Sequence, residues 1–179
     1  MAGSIATRRG DDGTTGLLYG QRVAKDHPQV EAVGAFDELN VELGAVRLIT
    51  ADEATKTFLI GLQNTLVALM GELACAESDA ERYADSTFAK VTEAHLALLD
   101  ATIADLEGRS LSFAGWATPG ATPLAVAWDR ARVAARRAER RIAALPAAGR
   151  RLRPVTLHWT NRLSDVLWLM ARAAENGPG

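Results

Sequence analysis

The chain begins with a polar stretch whose residue types suit anion binding. Residues 10–16 read GDDGTTG and combine glycines, aspartates and threonines ahead of the first apolar helical pattern. Glycines let backbone N–H groups converge on an anion, and threonine hydroxyls add further donors. Arg8 and Lys25 flank the stretch with positive charge. Since no Gly-Lys-Ser/Thr of a P-loop follows, the segment predicts either a different phosphate-binding loop or a flexible polar tail.

A run of arginines at helical spacing is the second candidate site. Residues 130–153 contain nine arginines and one acid, Glu139. Four charged residues of this run recur three or four positions apart and share one helix face: Arg132, Arg136, Glu139 and Arg140. Arg137 and Arg141 turn to the side of that face. Because like charges four residues apart cost stability, the alignment favours an anion or carboxylates opposite, with a solvated face as the alternative.

Two further polar positions lie within apolar helical patterns. Asn161 shares the polar side of its segment with Asp165 and Arg172. An amide there either reads an adenine or a ribose hydroxyl, or is simply exposed. Asp37 faces the same way as Asn40 in the segment FDELN. An acid in an apolar helix beside an arginine-rich one favours a salt bridge, within or between chains.

Helices must position these side chains, and the apolar pattern predicts five of them. Apolar residues recur at three- and four-residue spacing in five segments: 33–46, 58–73, 91–106, about 122–145 and about 155–174. Strand patterns are nearly absent. We therefore expect an all-α, five-helix bundle with an irregular N-terminal arm, built as a single domain over 1–179. The arm would occupy 1–28 and the helical bundle 29–175.

Length and composition limit the class of protein. The chain has 179 residues, 48% of them hydrophobic, and lacks an apolar run long enough to span a membrane or resemble a cleaved leader, so we expect a cytoplasmic location. A net charge of −2 argues against nucleic-acid binding. The single cysteine, Cys75, lies in an apolar helical pattern and is expected to be buried. His27, His95 and His158 are scattered, and without a Cys/His cluster no protein-held metal site is expected.

Taken together, the motifs resemble one known family. TRRGDDGTT, RVAKD, VEAVGAFDELN, LQNTL, GELA, PGAT, RARVAARRAERR and NRLSD follow in the order and at the spacing of the PduO-type ATP:cob(I)alamin adenosyltransferases, or corrinoid adenosyltransferases. The resemblance runs from about residue 7 to residue 172. It implies a five-helix bundle of the cobalamin adenosyltransferase type, assembled as a homotrimer with ATP at each subunit interface.

The activity that the resemblance implies is adenosyl transfer. The 5′-deoxyadenosyl group of ATP would pass to the cobalt of reduced cob(I)alamin, giving adenosylcobalamin and triphosphate, with Mg²⁺ bridging the phosphates. A cobalamin reductase and an adenosylcobalamin-dependent acceptor enzyme would be partners. The alternative on the same scaffold is a non-catalytic ATP- and cobalamin-binding sensor or delivery chaperone. A purely structural helical module would leave the arm and the arginine face unexplained.

The resemblance also implies roles for individual residues. ATP would be bound by residues of the arm and of two helices: Thr7, Arg8, Arg9, Gly10, Thr14, Thr15, Lys25, Arg136, Arg137, Glu139, Arg140 and Asn161. Asp37, Arg132 and Arg136 would be catalytic, with Asp37 paired to Arg132. Trp116 would contact cobalamin, standing where the family usually has the phenylalanine that displaces the lower axial ligand. Three other positions depart from the family pattern: Arg9, Gly16 and Ala121.

Overall fold

Helices dominate the computed structural model, which describes residues 6, 8–109, 111 and 117–176. In chain order the elements are β1 Thr14–Gly16, β2 Arg22–Ala24, α1 Pro28–Ile49, α2 Glu53–Leu73, α3 Ala80–Ala84, α4 Glu93–Gly108, α5 Pro123–Ala143 and α6 Pro154–Asn176. Short 3₁₀ turns occupy Glu77–Asp79 and Leu145–Ala148. The expected all-α bundle is confirmed, since the five long helices coincide with the five segments of helical periodicity. The one-turn helix α3 was not predicted.

Local sequence signals set where these helices begin. Asp52 caps α2 by accepting a hydrogen bond from the Thr55 backbone N–H at 2.8 Å. Thr122 caps α5 in the same way, accepting from the Ala125 N–H at 3.0 Å. Side-chain acceptors at this position satisfy backbone donors that have no partner within the helix. Proline at the first helical residue of α1, α5 and α6 adds no further unpaired donor.

Helix α5 lies between α1 and α6 and presents a core face of small residues. It packs against both helices, while α2 packs on α1 and α4 packs on α6. Five alanines of α5 are at least nine-tenths buried: Ala125, Ala131, Ala134, Ala135 and Ala138. The flanking helices contribute larger side chains to the same core, among them Phe36, Leu39, Leu43, Trp159, Leu163 and Leu167. Small side chains on one partner allow the backbones to approach closely.

The arm contains regular structure that the sequence pattern did not indicate. Strands β1 and β2 pair as an antiparallel hairpin, with Thr14 opposite Ala24 and Gly16 opposite Arg22. The connecting turn is closed by a hydrogen bond from the Leu17 N–H to the Gln21 carbonyl at 2.7 Å. The rest of the described arm is irregular, as expected, and the hairpin is a feature that the sequence did not indicate. Strands of three residues are too short to show a period of two in the sequence.

Three contacts dock the hairpin on the corner that follows α2. The Leu18 N–H donates to the Ala74 carbonyl at 2.9 Å. The side-chain amide of Gln21 donates to Asp79. The Arg82 guanidinium lies over the Tyr19 ring, 3.9 Å from its centroid. The turn of the arm is thus attached to the bundle at the carboxyl end of α2.

Two buried side chains donate hydrogen bonds to backbone carbonyls at that end of α2. Arg150 is 5% exposed and donates to the carbonyls of Glu72 and Cys75 at 3.0 and 2.9 Å. Gln29 donates to the carbonyls of Leu73 and Cys75, both at 2.9 Å. Carbonyls in the last turn of a helix have no intrahelical donor, so these side chains supply what the helix lacks. Cys75 is buried as expected, and burial raises the pKa of its thiol.

Glu72 anchors the start of α6 to α2. Its carboxylate is 2% exposed and accepts from Arg153 Nη2 at 2.6 Å and from the Thr156 hydroxyl at 3.1 Å. Arg153 also donates to the Val91 carbonyl at 3.0 Å, which extends the network to the residues before α4. A buried carboxylate is tolerated only where charge and hydrogen bonds compensate its lost hydration.

Across the described residues, no helix taken singly has the length and apolarity to cross a membrane. Only α2 combined with the segment Glu77–Ala84, which follows it after a 104° bend, meets those criteria. The apolar side chains that give α2 this property belong to the protein core: Leu59, Leu62, Leu66 and Leu69.

We predict that Arg153→Ala lowers the free energy of unfolding by about 3–5 kcal/mol, because it strands the buried Glu72 carboxylate. Glu72→Gln should cost less, about 1–2 kcal/mol, since the half-exposed Arg153 is rehydrated and the amide still accepts from Thr156. Arg151→Ala is the control: that side chain is 86% exposed in its pair with Glu77 and should contribute less than about 1 kcal/mol. Denaturant titration followed by circular dichroism measures all three. A loss for Arg153→Ala no larger than the control would contradict the buried charge.

Candidate functional site

The arginines of α5 fall into two sets. Those of the first set form ion pairs with glutamates of α1: Arg130 with Glu42, Arg137 with Glu38 and Arg141 with Glu31. The separations are 2.8 Å for the first pair and 3.0 Å for the third. The order of the pairs along α5 is the reverse of their order along α1. In each pair at least one of the two residues is exposed. Pairs of this kind stabilise little, but they occupy the side of α5 that faces α1.

The second set lies on the face predicted from the spacing. Arg136 and Arg140 are both exposed. Within the described part of the chain neither of them forms an ion pair. Arg132 is different, since its Nε donates to Asp129 Oδ1 at 2.9 Å and its side chain is 24% exposed. Two arginines one turn apart that form no ion pair leave a positive surface, and such a surface favours an anionic ligand.

Glu139 and Asn161 join this face to α6. The Asn161 side-chain amide donates to Glu139 Oε1 at 2.9 Å, so two residues singled out in the sequence meet across the α5–α6 contact. Asp165 lies one turn further along α6. Burial raises the pKa of the Asp165 carboxyl, and the Glu139 charge adds to the increase while Arg162 and Arg136 oppose it. The carboxylates of this region therefore partly balance the arginines.

A groove of about 630 Å³ opens beside that hydrogen bond, between the end of α5 and the start of α6. Its lining combines polar and apolar side chains, among them Glu139, Ile142, Leu152, Leu157, His158 and Asn161. This volume is in the range of small-molecule sites, and a largely apolar wall with a few polar groups is their usual composition. The sequence did not single out Leu152 or His158. The spacing could have found His158, which lies one turn before Asn161 on the same helix face.

The arm brings three of its predicted residues together. A Cβ at Gly10 would lie 3.0 Å from the Thr14 carbonyl oxygen and 3.1 Å from Lys25 Cε, so a larger residue would require these neighbours to shift. The Lys25 N–H donates to the Gly13 carbonyl at 2.9 Å and closes the loop. Gly13 itself has a φ of 79°, which favours glycine. Both glycines therefore suit the conformation of this loop.

One of the two acids of the loop, Asp12, already accepts hydrogen bonds from within the chain. Asp12 Oδ1 accepts from the Thr14 N–H at 2.9 Å and from the Thr14 hydroxyl at 2.8 Å. The hydrogen bond from that hydroxyl is the main reason that the pKa of Asp12 is lowered. Arg22 donates to the Arg9 carbonyl at 2.7 Å and to the Thr14 hydroxyl. Any anion bound by Thr14 would have to compete with Asp12.

Other predicted residues are not brought together within one chain. No hydrogen bond or ion pair of the described residues links the arm, 8–25, to Arg136, Glu139, Arg140 or Asn161. Arg8 is exposed with a φ of 57°, and Thr15 lies half-buried in β1. Thr7 and Trp116 lie outside the described residues, so their proposed contacts with ATP and cobalamin stay predictions.

The expected pair between Asp37 and Arg132 is not formed inside the chain. Asp37 is exposed on α1, and in the described part of the molecule it has no ion-pair partner. The carboxylate that accepts from Arg132 is Asp129, three residues earlier on the same helix. The alternative arrangement, a pair between two chains, stays a prediction.

Arg172 was placed wrongly by the sequence pattern. It was expected on the polar side of its helix, but it is 2% exposed and its Nη2 donates to Asp129 Oδ2 at 2.6 Å. Its spacing of seven residues from Asp165 does place it on the face of Asn161 and Asp165, but near the end of α6 this side chain is buried against Asp129 of α5. That contact between two helices leaves no pattern in the sequence of α6.

Comparison with known proteins assigns the chain to a family. A sequence model described as cobalamin adenosyltransferase matches residues 5–174. The chain belongs to the cobalamin adenosyltransferase family. It is 39% identical over 173 residues to the corrinoid adenosyltransferase PduO of Salmonella typhimurium, an alignment covering 97% of this chain and 50% of that protein. It is 32% identical over 175 residues to a corrinoid adenosyltransferase of Mycobacterium leprae, covering 97% and 92%.

These relatives differ in length. The chain spans half the length of the Salmonella PduO protein and of its counterpart from Citrobacter freundii, which is 37% identical over 173 residues. The match to the Mycobacterium leprae protein, in contrast, covers 92% of that relative. This chain therefore aligns with about half of each of the two PduO proteins.

Solved structures of family members have the same fold. A variant of the PduO-type ATP:corrinoid adenosyltransferase from Lactobacillus reuteri, complexed with cobalamin and ATP, matches with a TM-score of 0.85 at 31% identity. That match covers 96% of this chain and 91% of the other. A second variant of the Lactobacillus reuteri enzyme, complexed with ATP, gives a TM-score of 0.84 at 30% identity.

Proposed function

We propose that this protein is an ATP:cob(I)alamin adenosyltransferase, which transfers the 5′-deoxyadenosyl group of ATP to the cobalt of reduced cob(I)alamin. The observation that carries the proposal is the α5 face, where Arg136 and Arg140 are exposed and form no ion pair in the described chain. Glu139, which lies between them in the sequence, lines the groove together with Asn161. Family membership and relatives that bind ATP and cobalamin support the same assignment.

The chemistry requires little of the protein beyond binding and orientation. Cobalt in its lowest oxidation state is a strong nucleophile and attacks the 5′ carbon of ATP. A cobalt–carbon bond forms, the bond from that carbon to the phosphate oxygen breaks, and triphosphate leaves with the electron pair. No side chain has to act as nucleophile or general base. Arginine side chains aimed at the phosphates would stabilise the charge that develops on the leaving group.

The residues present suit a nucleotide. Arginine forks bind phosphate oxygens in pairs, and the exposed Arg136 and Arg140 lie one helical turn apart on α5. The adjoining groove of about 630 Å³ has room for a nucleoside beside them. Mg²⁺ is commonly bound through substrate phosphates with one or two carboxylates and several waters, so it would enter with ATP.

The separation of the arm from the arginine face favours a site shared between subunits. Within one chain the arm docks at the end of α2, while Arg136 and Arg140 lie on α5. In a homotrimer, the arm of one subunit could cover the α5 face of the next and so bring the arm and the arginines together. The same assembly would allow Asp37 of one subunit to contact Arg132 of another. The proposal extends to a cytoplasmic enzyme supplied by a cobalamin reductase and serving an adenosylcobalamin-dependent acceptor enzyme.

An absorbance assay tests the activity directly. Cob(I)alamin generated with a strong reductant under anaerobic conditions is mixed with ATP and the protein, and formation of adenosylcobalamin is followed spectroscopically. Triphosphate in the product mixture confirms which bond of ATP was broken, and a reaction without ATP is the control. Binding of ATP and cobalamin without turnover would contradict the proposal and support a sensor or delivery protein instead.

We predict that Arg136→Ala loses about 1.5–3 kcal/mol of binding or transition-state stabilisation, because a charge-assisted contact to phosphate is removed. Arg136→Lys should recover only part of this, since an ammonium group lacks the guanidinium fork. Steady-state kcat and KM for ATP measure both. Arg141→Ala is the matched control, because Arg141 belongs to the set that pairs with α1 and should leave both parameters nearly unchanged. Full recovery by lysine would contradict a directed contact.

We predict that Asp37 and Arg132 are coupled across the subunit interface. Asp37→Ala and Arg132→Ala should each reduce activity or assembly strongly, and the double variant should lose much less than the sum of the two. The exchanged pair, Asp37→Arg with Arg132→Asp, should recover assembly better than turnover. Size-exclusion chromatography and turnover of the four variants provide the measurement. Strictly additive losses would show that the two side chains never meet.

A further inference from the structure

We propose that Asp129 is the positioning residue of the site: its buried carboxylate is held by Arg172 and in turn fixes the orientation of Arg132. This inference rests on the proposed function for its catalytic consequence, but the arrangement itself is a property of the folded chain. Neither Asp129 nor Arg172 was among the residues that the sequence or the family resemblance assigned to the site.

The carboxylate of Asp129 is divided between two arginines. Oδ1 accepts from Arg132 Nε at 2.9 Å, and Oδ2 accepts from Arg172 Nη2 at 2.6 Å. Asp129 is 6% exposed and Arg172 is 2% exposed. Both distances are those of strong charge-assisted hydrogen bonds. Since one oxygen is held by Arg132 of the same helix and the other by Arg172 of α6, the carboxylate cannot rotate without losing one of these hydrogen bonds.

Arg172 is fixed more firmly than an isolated ion pair would be. Its Nη2 also lies 3.1 Å from Glu175 Oε1, and its guanidinium carbon is 5.8 Å from the centre of the Trp168 ring. The side chain therefore has contacts along its own helix and across to α5. This gives the carboxylate a rigid support that does not depend on any ligand.

The edge of Arg132 that Asp129 holds determines what the rest of its guanidinium can do. The group has five N–H donors, and Asp129 uses the one on Nε. Its two terminal nitrogens form no hydrogen bond or ion pair with the residues that the structure describes. They remain available in one orientation, on a side chain that is 24% exposed. A guanidinium tethered at Nε loses less freedom when its terminal nitrogens bind a carboxylate or a phosphate.

An isosteric change tests this. Asp129→Asn keeps the shape but can accept from only one arginine, because its second polar atom is itself a donor. We expect kcat/KM for ATP to fall by roughly 10- to 100-fold, the loss typical when a residue that orients a ligand-binding side chain is removed. In the Arg132→Ala background the same substitution should change kcat/KM by less than about twofold. An equal loss in both backgrounds would overturn the proposal, since Asp129 would then not act through Arg132.

A matched control separates orientation from general charge effects. Arg130→Gln removes the neighbouring arginine of α5, whose partner is Glu42 on α1, and leaves the Asp129 cluster intact. We expect kcat/KM for ATP within about twofold of the unmodified chain, because Arg130 shares no ion-pair partner with the Asp129 cluster. A loss as large as that of Asp129→Asn would show that any change of α5 charge has this effect and would overturn the proposal.

Side-chain NMR tests the arrangement independently of activity. The Nε–H signal of Arg132, assigned by its loss in Arg132→Ala, should exchange with solvent more slowly than those of Arg136 and Arg140. In Asp129→Asn this exchange should accelerate by at least roughly tenfold, as when a protecting hydrogen bond is lost. If the unmodified protein does not form adenosylcobalamin, the proposed function fails, and the exchange rates still decide whether Asp129 positions Arg132. Equal exchange in the two proteins overturns the inference.

A paired variant covers the case in which Asp129→Asn does not fold. Arg172→Gln removes the buried guanidinium, so Asp129→Asn can be added to it without stranding a charge. The comparison is then between Arg172→Gln and the double variant. The Arg132 Nε–H should remain protected in the first and lose its protection in the second. The same rate in both overturns the inference.

Discussion

The close approach of α1 and α6 to α5 is the constraint on which the other features depend. Between Trp128 and Ile142 the core face of α5 is built from alanines, so neighbouring backbones come near it there. The long charged side chains of α5 extend past this contact onto the adjacent helices. Charged groups at the edges of a close helix contact then meet across it. The ion pairs with α1, the Glu139–Asn161 hydrogen bond and the Asp129–Arg172 pair all join α5 to a neighbour in this way.

This packing divides the arginines of α5 into those that lie beside acidic residues of α1 and those that do not. On the side of α1, glutamates are within reach, and the positive charge is compensated. On the opposite side Arg136 and Arg140 form no ion pair among the described residues, and the nearby Glu139 and Asp165 balance their charge only in part, so positive charge is available to a ligand. The cost of like charges one turn apart is tolerated by a fold that is stabilised elsewhere, chiefly by its apolar core and by the buried Glu72 network. Function and stability are thus assigned to different sides of the same helix.

The sequence predicts the helices and much of the site, but not the contacts between elements. Apolar spacing located the five long helices, and the spacing of Arg132, Arg136 and Arg140 placed them on one face. The hairpin was missed because its strands are too short for a pattern to appear, and its docking depends on a backbone carbonyl, Ala74, which leaves no mark in the sequence. Arg172 was misplaced because its spacing matches that of the exposed Asn161 and Asp165, whereas its burial results from a contact with Asp129 on another helix. The neighbour of Arg132 could not be read, since two aspartates, Asp37 and Asp129, satisfy the same charge argument.

The shared acceptor at the end of α2 has a consequence for how the chain can change in evolution. Gln29 and Arg150 come from distant parts of the sequence, yet both donate to the backbone oxygen of Cys75. Every amino acid carries that oxygen, so the thiol itself has no role in the junction, and any small residue of similar volume at position 75 would preserve it. The donors have no such substitute, because no other residue type offers the same reach and number of N–H groups. Mutational drift is therefore tolerated at the centre of this junction and penalised at its periphery, the reverse of what the burial of Cys75 alone would suggest.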